Sequence, residues 1–273
     1  QPIAALFAAQ YPQDAEAMAA AFYQRRPTAI RVNPLRTTDE ALTQTLQQEG
    51  HTVTAGPLPH CLLVMFNGNP AASKAFHAGQ FHVQGLASQF AALCCDARPG
   101  MRVLDLCAGS GCIGLAVAAQ VPQARVVLGE WSDGALKICR QNVRRNSLTA
   151  RVVPMQADAR EKPEKSLGEF QCIVSNPPYI PRADIETLDT SVKDYEPHLA
   201  LDGGEDGLDF YRSISEKWKE ALAPGGRLYF EVGIGQADNV LRIMRTQGFG
   251  DIQVVKDHHD IPRVVFGTLC TEL

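Results

Sequence analysis

The apolar run Cys172-Ile173-Val174-Ser175 reads as a buried strand, and it stops at Asn176-Pro177-Pro178-Tyr179. Two consecutive prolines fix φ and remove two backbone donors, so a sheet ladder cannot continue through them. The chain must leave the sheet here in a stiff, defined direction. What remains at the strand's C-terminal end is a cluster of acceptors: the Asn176 side-chain oxygen and the backbone carbonyls beside it. A planar NH2 group, whose two hydrogens need two acceptors in one plane, is the complement of such a cluster. Alone, the tetrapeptide is equally compatible with a proline-rich turn capping a strand.

A second motif favours a ligand. A hydrophobic strand, Val103 to Leu106, carries Asp105 near its end, passes through Cys107-Ala108-Gly109-Ser110-Gly111, and enters the apolar stretch Ile113 to Ala119. Closely spaced glycines let the backbone turn sharply and approach a bound molecule. Phosphate is disfavoured, because no Gly-Lys-Ser/Thr closes the loop and Asp105 would repel an anion. An acid beside a glycine loop suits a cationic ligand, such as the sulfonium and amino group of S-adenosylmethionine. Arg125 to Glu130 reads as the next strand, and its terminal carboxylate can accept hydrogen bonds from two ribose hydroxyls. Ala135 to Asn146 reads as a helix and Arg151 to Asp158 as a third strand ending in an acid. Each acid taken singly is also explained as a solvated strand end or a helix cap. Three of them in this order, followed by the Asn176 turn, point to a crevice at the C-terminal ends of parallel strands.

From Asp105 to Gly267 the chain resembles the glutamine N5-methyltransferases that modify peptide-chain release factors. The resemblance runs through DLCAGSGCIG (Asp105–Gly114), VSNPPYIP (Val174–Pro181), YEPHLALDGGEDGLDFYR (Tyr195–Arg212) and LAPGGRLYFEVGIGQ (Leu222–Gln236). It implies a seven-stranded sheet whose last hairpin inserts one antiparallel strand. It also implies S-adenosylmethionine held by Asp105, Cys107, Ala108, Gly109, Ser110, Gly111, Glu130, Asp158, Ala159 and Asn176. A glutamine amide would be presented to Asn176, Pro177, Pro178 and Tyr179. Among these, Asn176, Pro177 and Tyr179 are the expected catalytic residues: Asn176 Oδ1 and the Pro177 carbonyl each accept one amide N–H, and Tyr179 walls the pocket. Two positions depart from the pattern. Glu130 stands where most relatives carry aspartate, and Ala159 stands where they often place an aromatic.

The first third resembles a different family. AIRVNPLRTTDEALTQTLQQEGHTV (Ala29–Val53), AFHAGQFHVQGLASQ (Ala75–Gln89) and PGMRVLDLCA (Pro99–Ala108) are similar to bacterial rRNA cytosine-C5 methyltransferases. Those enzymes attack the base with a cysteine after Asp-Ala-Pro at the end of the fourth strand. Asn176-Pro177-Pro178-Tyr179 occupies that place here, and Leu228-Tyr229-Phe230-Glu231 replaces their Thr-Cys-Ser. The chain thus reads as a mosaic joined at the glycine loop, with its chemistry drawn from the nitrogen-methylating parent.

The expected fold is a doubly wound α/β, Rossmann-like class I methyltransferase sheet over residues 84–273, preceded by a small α+β domain over residues 1–83. Within the latter, 15–23 reads as a helix and 28–33 as a strand. Thr37 with Glu40 forms a capping-box pattern opening a helix that Gly50 ends. Residues 1–85 balance five basic residues (Arg25, Arg26, Arg31, Arg36, Lys74) against five acidic ones (Asp14, Glu16, Asp39, Glu40, Glu49), and the whole chain carries −4. With no basic surplus, at most a weak RNA contact is expected, and the principal partner is a release factor.

No apolar run approaches the roughly 20 residues that span a bilayer. The start lacks a basic region leading into a cleavage site. Eight scattered cysteines without a C-x-x-C pair point to a reducing cytoplasm. Asp257-His258-His259-Asp260 reads as a solvated loop with too few ligands for a metal. Two other classes fit parts of the sequence: an adenine N6-methyltransferase acting on a flipped base, or a non-catalytic RNA-binding or assembly protein.

Overall fold

The computed structural model describes residues 27–189, 193, 196–257 and 260–270. The expected helix at 15–23, Tyr195 and the His258-His259 pair lie outside them.

The N-terminal unit is built from β1 (Thr28–Val32), α1 (Asp39–Gln48), β2 (Thr52–Ala55), β3 (Cys61–Met65), α2 (Lys74–His77) and β4 (Phe81–Val83). Its four strands form an antiparallel sheet in the order β2-β3-β1-β4. Alternation puts Ile30, Val32, Leu62 and Val64 on one face, where they bury Leu42 and Leu46, four residues apart on α1. The start of α1 differs from the sequence reading. Thr38 is the N-cap, its hydroxyl accepting from Ala41 N–H at 3.2 Å. Glu40 therefore falls one position short of the third helical residue, and no capping box forms. Gly50, at φ +85°, ends the helix as expected.

The second sheet follows α3 (Leu86–Cys94). It contains β5 (Arg102–Leu106), α4 (Cys112–Gln120), β6 (Arg125–Glu130), α5 (Asp133–Arg145), β7 (Val152–Gln156) and β8 (Phe170–Ser175). After the short helices α6 (Arg182–Ile185) and α7 (His198–Leu201) come α8 (Asp209–Lys217), β9 (Leu222–Glu231), α9 (Ala237–Thr246), β10 (Phe249–Lys256) and β11 (Pro262–Leu269). The strand order is β10-β11-β9-β8-β5-β6-β7. β5 to β9 pair in parallel, and β11 inserts antiparallel to both β9 and β10. Pro154 is tolerated because β7 is the edge strand.

Period-two alternation builds two cores from one sheet. Val103, Val126, Cys172 and Val174 pack against α3, α4 and α5; Leu104, Leu106, Ile173, Leu228 and Phe230 pack against α8 and α9, with Trp218 between them. The chain winds from β5 outward to β7 and then returns to β8 on the other side. The switch point therefore lies between β5 and β8, where doubly wound sheets open a crevice.

Helix α4 approaches the sheet closely at Gly114. A methyl group there would meet Val126 Cγ1 at 2.9 Å and Asp105 Cβ at 3.0 Å, with a Leu128 methyl closer still. Gly114→Ala should therefore destabilise the chain by about 1–3 kcal/mol through overpacking, despite better helix propensity. Thermal melts should show a fall of roughly 2–4 °C per kcal/mol; an unchanged or raised Tm would contradict the close packing.

Candidate active site

A cleft of about 310 Å³ opens over the C-terminal ends of β5, β6 and β8. Its floor is the loop after β5, whose turn puts Cys107 at φ +59°, Gly109 at +57° and Gly111 at +83°. Two of these left-handed positions are glycine, which adopts them without steric cost. Gly111 also needs to lack a side chain, since a Cβ would lie 2.9 Å from Leu128 Cδ1.

Side chains from the next βα unit hold the loop. Gly109 N–H donates to Glu130 Oε2 and Ser132 N–H to Glu130 Oε1, each at 2.7 Å. From α5, the Cys139 thiol donates to Gly109 O at 3.1 Å and Asn142 Nδ2 to Ser110 O at 3.0 Å. Glu130 thus bridges two backbone segments while its remaining lone pairs stay available to a ligand.

Cys107, Ala108, Gly109, Ser110, Glu130, Asp158, Ala159, Asn176 and Pro178 all line this cleft. Asn176 makes no side-chain hydrogen bond to another described residue, so its Oδ1 is open to a ligand. Asp158 is held by Arg160, whose Nε and Nη2 donate to its two oxygens at 2.9 and 2.8 Å. Those bonds keep its carboxyl below the usual carboxylate range.

Four of the expected residues are not on the wall. Asp105 is 1% exposed, because β5 alternation turns it into the layer under α4. Its Oδ2 accepts from Gly114 N–H at 2.8 Å, and its Oδ1 has no partner among the described residues. Asp105 therefore shapes the loop from below and does not face a cationic ligand. Gly111 is the N-cap of α4 and is buried against the sheet. Pro177 is buried beside the wall. Tyr179 runs into the core of α8 and α9, and its carbonyl accepts from Gln236 Nε2 at 2.8 Å. The two prolines carry the chain under the segment that follows, where Gly203 N–H bonds Ile180 O at 2.9 Å. Tyr179 is thus an anchor of the turn, and other aromatics wall the cleft.

Those aromatics are Trp131 and Phe210. Trp131 is 47% exposed, an unusual state for so large an apolar ring, and follows Glu130 directly. Its position beside the β6 acid was the available signal. Leu199, Ala200 and Pro197 complete the outer rim, and Ser88 of α3 the inner one. No periodicity marks these, since they come from a loop, from the single-turn α7 and from a helix before the glycine motif.

The thiols in the cleft are poorly suited to nucleophilic attack. Burial pushes Cys107 well up and Cys112 up to about 12, so both stay protonated at neutral pH. Among the described residues no group of three or more His, Cys, Asp or Glu could hold a metal, and no helix is long and apolar enough to cross a membrane.

Comparison with known proteins bears on both parts of the chain. The family model described as "Methyltransferase small domain" matches residues 78–205, and one described as "Methyltr_RsmF/B-like, ferredoxin-like domain" matches residues 3–67. The chain is 48% identical over 169 residues to a release factor glutamine methyltransferase of Geobacter sulfurreducens, covering 61% of this chain and 57% of that protein. It is 42% identical over 164 residues to the same-named protein of Clostridium acetobutylicum, covering 60% and 58%. The chain thus spans little more than half the length of these relatives. The resemblance is to release factor glutamine methyltransferases in one part and to a ferredoxin-like domain in the other, which is the mosaic read from the sequence. A crystal structure of a methyltransferase homolog protein from Pyrococcus horikoshii superposes with TM-score 0.68 at 16% identity, over 96% of this chain and 92% of that one. That match agrees with the Rossmann-like fold of the seven-stranded sheet and with the small four-stranded N-terminal unit described above.

The buried Asp105 gives a pH test. Desolvation is the main cause raising its carboxyl from the ordinary 3.8 to about 7; the Gly114 bond opposes this and Glu130 adds to it. Between those values the folded chain binds a proton that the unfolded chain has lost. Asp105 therefore favours the folded state in acid, and that contribution disappears as pH rises through about 7. Asp105→Asn cannot titrate, so its stability relative to the unaltered chain should improve from pH 5 to pH 8. Glu231, also raised to about 7 by burial, cancels in this comparison. Urea melts of both chains at the two pH values measure the gap; a constant gap would show that Asp105 titrates normally.

Proposed function

We propose that this chain is an S-adenosylmethionine-dependent N-methyltransferase acting on a glutamine side-chain amide of a peptide-chain release factor. The observation that carries the reading is the Asn176 amide on the cleft wall, unpaired among the described residues, at the end of β8 and within the matched methyltransferase small domain.

The residues of the cleft fit the cofactor. Glu130 offers acceptors for the ribose hydroxyls beside the backbone of Cys107–Ser110. Trp131, Ala157 and Ala159 supply apolar walls of the kind a purine stacks on, and Trp131 and Phe210 are the aromatic rings of a lining in which Ala159 offers none. When bound, S-adenosylmethionine supplies an electrophilic methyl group on a sulfonium. The chain's own task is to present a poor nucleophile, because an amide nitrogen delocalises its lone pair. Asn176 Oδ1 accepts one N–H from the wall; the second acceptor, by the family resemblance, is the Pro177 carbonyl just behind it, and two acceptors fix the plane of the amide. As positive charge grows on that nitrogen, the same acceptors stabilise it without reorganising. Proton loss from the methylated amide can follow transfer, so no strong base is required beforehand.

The release-factor relatives, as named, support the substrate class. The N-terminal unit, residues 1–83, lies outside the resemblance to those relatives and has no basic surplus, which supports weak RNA contact at most. Free cysteines at every described position support a reducing cytoplasm.

Asn176→Ala should lower turnover about a hundredfold or more while leaving cofactor affinity nearly unchanged. An intact-mass assay with a release factor and, separately, RNA tests both the substrate and the residue. Methylation of RNA alone, or full turnover in the variant, would sink the reading. The two tryptophans give an independent readout: Trp218 is 2% exposed, so Trp131 is the one open to ligand. Titrating S-adenosylhomocysteine should quench tryptophan emission. Trp131→Leu should remove the quench and weaken binding by about 1 kcal/mol or more, roughly fivefold. A quench that survives the substitution places the purine elsewhere.

A further inference from the structure

We infer that the N-terminal unit positions the glycine loop, and so tunes cofactor binding, through a relay of three asparagines: Asn33, Asn146 and Asn142. This rests on the cofactor reading of the cleft proposed above.

Asn33 lies just past β1, and its side chain is fully committed. Its Oδ1 accepts from Leu35 N–H at 3.2 Å, while its Nδ2 donates to Gly79 O at 2.8 Å and to Asn146 Oδ1 at 2.6 Å. The first two bonds fix the amide within its own unit, so the third reaches across to the other unit from a rigid base. Asn146 caps the C-terminus of α5 and passes the contact inward, its Nδ2 donating to Asn142 O at 2.9 Å. Asn142 then donates from Nδ2 to Ser110 O at 3.0 Å. Each bridging amide accepts or donates in the one sense that satisfies its neighbours. A second grip lies beside the first: the Arg36 guanidinium donates to Arg145 O, a cation at the negative end of α5.

The consequence is mechanical. The N-terminal unit holds the last turn of α5, and one turn earlier α5 holds the carbonyl of Ser110. Ser110 and Gly109 form part of the cleft floor, so a shift of α5 along its axis moves ligand-facing backbone. The relay also crosses the join of the mosaic. Asn33 lies in the part resembling the rRNA enzymes, Asn142 and Asn146 in the part resembling the release-factor enzymes. The N-terminal unit is thereby given work in this chain that needs no RNA.

Asn33 acts here as a positioning residue, so the test separates position from stability. Calorimetric titration of the full chain with S-adenosylhomocysteine is compared for Asn33→Ala, Asn142→Ala and the double variant. Losing one such bond should weaken binding by about two- to tenfold. Because Asn33 acts through Asn142, the double variant should bind about as weakly as Asn142→Ala alone. Sites without shared contacts would instead combine as the product of the two single effects. That product, or an Asn33→Ala affinity equal to the unaltered chain's, overturns the relay. If Asn33→Ala fails to fold, Asn146→Ala breaks the same path while leaving every bond inside the N-terminal unit intact. A lowered Tm with unchanged affinity in that variant marks a purely structural interface and also overturns the inference. Failure of the unaltered chain to bind S-adenosylhomocysteine overturns the cofactor reading itself, and the relay with it.

Discussion

The cleft depends on one carboxylate. Glu130 accepts Gly109 N–H with one oxygen and Ser132 N–H with the other, and Ser132 in turn caps α5. The loop after β5 and the helix after β6 are thereby tied to the same side chain at the end of β6, an interior strand. A charge-assisted bond to each amide is worth about 1.5–3 kcal/mol, more than the neutral contacts nearby. With both amides engaged, the loop's left-handed turns at Cys107 and Gly109 have one satisfied geometry. A ligand that hydrogen-bonds Glu130 therefore meets a floor already in place.

Much of this was legible in the sequence, and the gaps have identifiable causes. Strand ends β5, β6 and β8 followed from apolar runs that stop at acids, glycines or prolines, while the inserted strand β11 and the full set of nine cleft residues came with the family resemblance. Asp105 was misread because strand alternation was not carried through it: a residue between Leu104 and Leu106 must face the opposite core from both. Tyr179 was misread because a motif gives residue order, not direction after a double proline. The capping box at Thr37 failed by one residue, which is the usual precision of a helix start. Trp131, Phe210 and Ser88 were missed because rim residues come from separate segments, and only the folded topology brings them together.

The mosaic raises the question of how two units with different resemblances share one interface. Polar matching answers part of it. Asn33 and Arg36 meet the end of α5, while a second polar set lies between the units. There, Arg31 is 1% exposed and neither terminal nitrogen has a partner among the described residues; Gln84 Nε2 and Gln89 Oε1 are likewise buried without one. Desolvation accordingly lowers the Arg31 pKa, outweighing the opposing influence of groups such as Asp39. A buried cation without an acceptor is destabilising. The interface therefore draws its specificity from the asparagine and Arg36 contacts rather than from this layer.

The far side of the cleft is fastened by a different set of residues. Gln236 Nε2 donates to Tyr179 O at 2.8 Å and to Gly207 O at 3.3 Å, while its Oε1 accepts from Gly233 N–H at 3.1 Å. A Cβ on Gly203 would lie 2.7 Å from Tyr179 Cα, so that glycine is required by close approach alone. The Tyr211 hydroxyl donates to Glu231 O at 3.0 Å and fixes the end of β9 under the same turn. The 196–212 segment, part of the resemblance to the release-factor enzymes, thus has a physical meaning: it is the bed on which the Asn176 turn rests. One side chain touches both: Ser175 Oγ donates to Leu106 O at 2.7 Å, just before the loop; the other fastenings named here belong to one wall or the other. Disturbing the glycine loop should therefore cost ligand affinity, whereas disturbing the Gln236 clamp should displace Asn176 and cost turnover, which makes the two walls separable in kinetics.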